Sequence, residues 1–356
     1  MPDKKILITG GAGFVGSSIG IAMKSKYPDY EVIALDNLKR RGSELNLPRL
    51  RSAGVRFIHG DIRNKEDLED LPRASTVIEA SAEPSVLAGI HSSPEYLMNT
   101  NLVGAINCLN YAVRCEAEFL FLSTSRVYPI ESIEQIATDE TEFAFALSDR
   151  QSMPGVSANG ISEDFPLTGS RSLYGASKLA SELIINEYHA FYGLPAVINR
   201  CGVLTGPWQM GKTDQGVVVL WVAKHHWQGS LSYIGYKGAG KQVRDILHVA
   251  DLFRLIDIQL HDMPRFSGMT FNVGGGSDNS VSLAQLTLLC RQITGKRIPI
   301  DRIDETRPAD VKIVVIDNSK IHTACGWRPE VSIRETVEDI EKWILNNESL
   351  LAPILS

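Results

Sequence analysis

Several kinds of protein need features that this sequence has little of. Its five cysteines, Cys108, Cys115, Cys201, Cys290 and Cys325, are odd in number and widely scattered. That argues against a disulfide framework and leads us to expect a reducing, cytoplasmic compartment. No apolar run reaches membrane-spanning length, and Lys4-Lys5 runs straight into a short apolar stretch with no secretory leader before it. Neither a membrane anchor nor export is therefore expected. Positive charge is not in excess: the net charge is −6 and the pI near 5.8. General nucleic-acid binding gains no support from this, and any phosphate site has to be built from a few local cations. The eight histidines show no metal-ligand spacing, and adjacent His225 and His226 diverge around a helix, so no metal site is expected.

What is present is a globular composition, 356 residues with 44% apolar and 22% charged, enough to bury a large core in one or two tightly joined domains. Strand and helix patterns alternate from Lys4 to about Arg200, which predicts an α/β fold with a doubly wound parallel sheet covered by helices on both faces. Strand signals fall at Val55–His59, Thr76–Ala80, Phe119–Ser123 and Ala196–Asn199, and helical ones at Pro94–Cys115 and Ser172–Tyr192. The polar, glycine-containing stretch Ser157–Ser172 reads either as a long surface loop or as a wall over a pocket. After Gly206-Pro207 the alternation weakens. Asp214–Gly229 has a helical pattern, Met269–Val273 and Lys312–Asp317 read as strands, Ser282-Leu283-Ala284-Gln285 opens a helix as a capping box, and Ile333–Leu345 supplies another. The expectation is a dinucleotide domain over residues 1–200 and a smaller, interleaved α/β substrate domain over residues 201–356.

The apolar run Ile6–Thr9 ends in Gly10-Gly11-Ala12-Gly13-Phe14-Val15-Gly16 and is followed by a helical stretch. A strand, a tight glycine turn and a helix N-terminus together offer a pyrophosphate close backbone approach, free N–H groups and a positive dipole end. A second apolar run, Glu31–Leu35, ends in Asp36, twenty positions after Gly16, where a carboxylate accepts hydrogen bonds from an adenosine ribose. A carboxylate there repels a ribose phosphate, so NAD is expected rather than NADP. The basic triplet Lys39, Arg40 and Arg41 reads as a solvated loop face.

Tyr174 and Lys178, in Tyr174-Gly175-Ala176-Ser177-Lys178, are four apart on a predicted helix, so a phenol and an ammonium share one face. Bringing a tyrosine from a pKa of about 10 to neutrality requires roughly 4 kcal/mol of selective phenolate stabilisation. A neighbouring ammonium and a cationic nicotinamide in a poorly hydrated pocket can supply it.

With these motifs at both ends of the site, the chain resembles the extended short-chain dehydrogenase/reductase family of nucleotide-sugar enzymes, from about Lys4 to Ile344. The resemblance implies Thr124, at the end of Leu120-Phe121-Leu122-Ser123-Thr124, as a catalytic hydroxyl beside Tyr174 and Lys178. It implies cofactor contacts from Gly10, Gly13, Phe14, Val15, Gly16, Asp36, Asn37, Asp61, Ile62, Ala80, Ser81, Ala82, Asn101, Tyr174 and Lys178. Arg244 and Arg307 match positions that hold a nucleotide diphosphate, a task suited to the guanidinium fork. The helices Pro94–Cys115 and Ser172–Tyr192 match those that pair in a homodimer or higher homo-oligomer. The chain departs from the family at Glu79 and Glu83, where His and a neutral polar residue are more familiar, and at Gly202 and Thr205, where larger side chains are usual.

Family members that dehydrate or decarboxylate a sugar carry acids just after the catalytic Thr; here those positions are Ser125 and Arg126. The simplest chemistry left is transient oxidation and re-reduction of one carbinol, which is epimerisation, and the resemblance implies a CDP- or UDP-linked sugar as the substrate. Gly60-Asp61-Ile62-Arg63-Asn64, Thr213-Asp214-Gln215-Gly216, Lys241-Gln242-Val243-Arg244-Asp245 and Trp327-Arg328-Pro329-Glu330-Val331-Ser332 together resemble the CDP-paratose (CDP-tyvelose) 2-epimerases. That likeness adds Arg126, Asp214 and Gln215 to the implied sugar-nucleotide contacts. A 4-epimerase and a non-catalytic dinucleotide-binding redox sensor are the alternatives, and the intact Tyr-Lys pair speaks against the second.

Overall fold

The computed structural model describes residues 4–90, 92–211 and 215–356. The chain divides into two compact units, one of Met1–Val127, Leu173–Arg200 and Leu252–Phe271, the other of Tyr128–Ser172, Cys201–Asp251 and Asn272–Ser356.

In the first unit the apolar runs assemble into a seven-stranded sheet. Its strands are β1 (Lys5–Thr9), β2 (Glu31–Asp36), β3 (Arg56–His59), β4 (Thr76–Glu79), β5 (Glu118–Thr124), β6 (Ala196–Cys201) and β7 (Met269–Val273), in spatial order β7-β6-β5-β4-β1-β2-β3. β1 pairs in parallel with β2 and β4, β2 with β3, and β4 with β5. The central strands read as continuous apolar runs because both of their faces are covered, and Ile6, Leu7, Ile8, Val77 and Ile78 are all buried. Helix α1 (Phe14–Lys26) follows β1; α2 (Gly104–Cys115) and α3 (Leu173–Tyr192) are the other long helices of this unit that shape the site. Leu7, Val77, Phe119 and Phe121 of the sheet pack on Ala105, Cys108, Leu109 and Ala112 of α2 and Ile185 of α3. The chain leaves β1 towards β2 on one side and returns to β4 on the other. This reversal opens a crevice at the carboxyl ends of β1 and β4, where ligands of such sheets bind.

One expected helix is not uniform. Over Pro94–Cys115 the chain forms a turn at Glu95–Met98, a π-helical segment at Asn99–Val103 and then α2. Such wide turns occur mostly at functional positions, and this one carries Asn101.

In the second unit, strand Val243–His248 pairs in parallel with Val203–Thr205 and Ile313–Val314 and antiparallel with Ser280–Ser282. Leu231–Ile234 pairs with Ile300–Ile303. Capping boxes open the helices Leu283–Thr294, at Ser282 and Gln285, and Ile333–Asn346, at Ser332 and Glu335. The helix expected over Asp214–Gly229 runs Val217–His226, after Gly216 in the left-handed region (φ 71°). The strand expected over Lys312–Asp317 is regular only at Ile313–Val314. The stretch Ser157–Ser172 is not a loose surface loop: Val156–Ser157 and Gly160–Ile161 form a hairpin. Ile161 N–H donates to Val315 O at 2.8 Å, and buried Phe165 meets Tyr128 edge to face. Two apolar anchors inside a polar sequence hold it down. Among the described residues no helix is long and apolar enough to cross a membrane.

Candidate active site

The glycine turn after β1 closes as its sequence requires. Gly10 has φ +62° and its carbonyl accepts the Gly13 N–H at 3.0 Å. A Cβ at Gly16 would lie 2.3 Å from Gly10 O, and one at Gly10 would lie 2.8 Å from Ala80 O, beside the end of β4. Only glycine keeps this turn in the sheet crevice, with Phe14 and Val15 opening α1 so that their N–H groups stand at its positive end. This glycine-only cradle fits a dinucleotide diphosphate. The Asp36 carboxylate orders the turn from the end of β2: Oδ2 accepts from Ala12 N–H at 3.0 Å and Oδ1 from Leu38 N–H at 2.8 Å. Burial raises its pKa and these backbone donors oppose the rise. Next to it, Asn37 donates to Asp61 Oδ2 at 2.9 Å, and the Arg63 fork grips the same carboxylate, Nη2 to Oδ2 at 2.6 Å. Burial would raise the pKa of Asp61, but Arg63 and Asn37 outweigh it and hold the group at about 2. Ile62 is buried against α2, where a Cβ at Gly104 would come within 2.5 Å of it.

The catalytic candidates lie on β5 and α3. Thr124 closes β5, largely buried, and its Oγ1 accepts the Arg126 N–H at 3.2 Å, which leaves the hydroxyl proton to donate elsewhere. Arg126 and Tyr174 are half-buried, whereas Lys178 is buried, its Nζ 3.8 Å from the Phe121 ring centroid. The α3 helix is locked to the sheet one turn beyond Lys178. Glu182 there accepts Ser123 Oγ–H at 2.5 Å and the fork of Arg200, with Nη2 to Oε2 at 2.7 Å, all of it buried. Asn101 braces the other side. Its Oδ1 accepts Glu83 N–H at 2.8 Å and its Nδ2 donates to Glu83 O and Ser177 Oγ, both at 3.1 Å. The Asn101 amide is thus engaged within the protein, where it fixes the half-buried segment Ala80-Ser81-Ala82 against α3.

In the second unit, Arg244 Nη2 donates to Asp310 Oδ1 at 2.8 Å, and Gln242 Nε2 donates to Asp310 Oδ2 at 3.2 Å. The Asp310 N–H closes a turn onto Arg307 O at 3.2 Å, so the two arginines are tied to one turn, and Arg307 is half-buried. Gln215 is half-buried just before Gly216, while Asp214 lies outside the described residues.

Residues 6–274 match the NAD dependent epimerase/dehydratase family. The chain is 32% identical to the CDP-paratose 2-epimerase of Salmonella typhi over 348 residues, 95% of this chain and 98% of that one. The chain belongs to the NAD-dependent epimerase/dehydratase family. Its cofactor is NAD. Among solved structures it is similar to the dTDP-glucose 4,6-dehydratase of Streptomyces venezuelae with NAD bound (27% identity, TM-score 0.78, 98% of this chain and 99% of that one). It is also similar to the UDP-glucose 4-epimerase of Thermus thermophilus in complex with NAD (26%, 0.74, 95% and 98%).

Against that family background, sequence reasoning passed over three residues that shape the site. Glu182 and Arg200 carried no motif; only their meeting across α3 and β6 reveals the brace. Asp245 alternates with Arg244 on its strand and points inward, fully buried. A Cβ at Gly202 would lie 2.9 Å from its Oδ2, and one at Gly274 would lie 1.9 Å from it. The small residue at Gly202, unusual for the family, makes room for this carboxylate.

Proposed function

We propose that this protein epimerises one carbinol of a nucleotide-diphosphate sugar, most closely in the manner of a CDP-paratose 2-epimerase. The observation that carries the reading is Tyr174 and Lys178 one turn apart on α3, with Thr124 closing β5 and no acid at Ser125 or Arg126 to act on the ring carbons. NAD, when bound, supplies the oxidation and its reversal. Tyr174 removes the carbinol proton and later gives it back, Thr124 orients that hydroxyl, and Lys178 stabilises the phenolate and holds the nicotinamide ribose. Gly10, Gly13, Phe14, Val15 and Gly16 cradle the pyrophosphate, Asp36 and Asn37 take the adenosine ribose, and Asp61 and Ile62 border the adenine. Ala80, Ser81 and Ala82 flank the nicotinamide side, and Asn101 supports them.

Residues 1–200 are the dinucleotide domain in this reading, and 201–356 hold most of the sugar nucleotide. Arg244 and Arg307 anchor the diphosphate, and Arg126, Asp214 and Gln215 contribute nearer the sugar and base. Five free thiols, four of them buried, suit a reducing cytoplasm. Leu183 and Phe191 stand exposed on one face of α3 beside Tyr192, which supports a homodimer built on this helix.

The test is incubation with a panel of CDP- and UDP-sugars in heavy water, with NMR reading the inverted carbon. Inversion with the original hydrogen retained is expected. Full exchange of that hydrogen with solvent indicates proton abstraction from carbon and removes the proposal; inversion at carbon 4 in place of carbon 2 moves it to the 4-epimerases.

A further inference from the structure

Glu79 is fully buried at the end of β4, in a family position where an acid is unusual. Sheet register places it in one row with Thr9 of β1 and Phe121 of β5, and paired residues of parallel strands face the same side. That side carries α3. Glu79 Oε2 accepts no hydrogen bond and lies 3.6 Å from Lys178 Nζ, the ammonium that sits over the Phe121 ring. Its Oε1 takes Ser81 N–H at 3.1 Å and Thr9 Oγ–H at 3.5 Å. Other groups around the pair include the Cys108 thiol on α2, whose pKa burial raises with Glu79 adding to the rise, Tyr174 one turn before Lys178, and the Glu182–Arg200 pair one turn after.

We infer that Glu79 is a positioning residue that sets the strength of the base: its carboxylate shares the Lys178 ammonium with the Tyr174 phenolate and so keeps Tyr174 a stronger base than the ammonium alone would leave it. Burial raises the pKa of Glu79 and Lys178 opposes that rise. The inference rests on Tyr174 as the base. An epimerase uses that base in both directions, taking the carbinol proton and returning it to the same oxygen. A phenol made too acidic takes the proton poorly at the first step, so a pKa close to the working pH serves both. Partial cancellation of the ammonium by a buried carboxylate is a way to set that value. A unit charge about 10 Å away, acting through an effective dielectric near 20, moves a pKa by about 1.

The test follows the ultraviolet signal of phenolate formation in NAD-loaded protein, with the matching Tyr174→Phe protein subtracted so that Tyr174 alone is read. Glu79→Gln should lower the Tyr174 pKa by about 1, and Glu79→Asp, which keeps the charge, should hold it near the parent value. If the Gln variant does not fold, Glu79→His read above its own titration is a second neutral replacement, and the same fall is expected. A folded neutral variant with the parental Tyr174 pKa overturns the role of Glu79 while leaving Tyr174 as the base. A parent protein in which Tyr174 shows no ionisation below the range of an ordinary tyrosine removes the base itself, and this inference with it.

Discussion

At the scale of single residues, two buried or half-buried groups carry opposite demands. Tyr174→Phe keeps the ring and its packing and removes the ionisable oxygen. Turnover should fall at least about a hundredfold with thermal unfolding unchanged, and activity within a factor of two of the parent would make the pair structural. Asp245 has the reverse character, since nothing in the proposed chemistry uses it. Burial raises its pKa from 3.8 to about 7, against the backbone donors of Gly276 and Gly275, and its Oδ1 has no hydrogen-bond partner. A raised folded-state pKa means that the folded chain holds the proton more tightly than the unfolded chain. Its contribution is therefore complete below about pH 4 and is lost as pH climbs to about 7. Relative to Asp245→Asn, which does not titrate, the parent should lose up to about 4 kcal/mol across that window. Urea unfolding of both proteins from pH 4 to 8 checks the slope, and parallel curves would show that the carboxylate is solvated in the native state.

At the scale of elements, α3 is the part whose position matters most, because it carries both members of the Tyr-Lys pair. One of its locks is a buried ion pair with a serine added, Glu182 with Arg200 and Ser123. Glu182→Ala takes the carboxylate away from the buried Arg200 guanidinium and should cost about 3–5 kcal/mol. Replacing both partners by methionine should recover most of that stability, because a packed apolar pair escapes the desolvation penalty. Turnover is the more informative measurement, since the double variant restores the fold without the lock. If its turnover equals the parent's, then the Glu182–Arg200 lock is not what positions α3.

At the scale of the whole molecule, two measurements bear on the chain as purified. An epimerase recovers its cofactor each cycle, so the protein should emerge from purification carrying NAD with none added; release of NADP alone on denaturation would contradict the ribose role of Asp36. Assembly is tested on α3, where Leu183 is 60% and Phe191 79% exposed, eight residues apart on one face. Leu183→Glu places a charge on that face and should convert a homodimer to a monomer in light scattering, while the Tyr174 site, on the same helix, keeps its fold. A parent protein that is already monomeric would show that these side chains serve another purpose.

The sequence by itself determined the features that depend on neighbours along the chain. Gly10 to Gly16 with Asp36, the Tyr174–Lys178 spacing and the capping boxes at Ser282 and Ser332 are local, because turn geometry, helix period and N-cap chemistry act within a few residues or one βαβ unit. Tertiary structure alone decided what depends on residues far apart in the chain. Glu79 meets Lys178 only because β4 lies beside β5 beneath α3, and Arg200 reaches Glu182 only from β6. Gly202 makes room for a carboxylate 43 positions later. The anchoring of Ser157–Ser172 was hidden for the same reason: Ile161 and Phe165 look like isolated apolar residues in a polar stretch until Val315 and Tyr128 are brought against them. Burial, and with it the charge state of Glu79 and Asp245, is a property of the assembled core, and no periodicity in the chain encodes it.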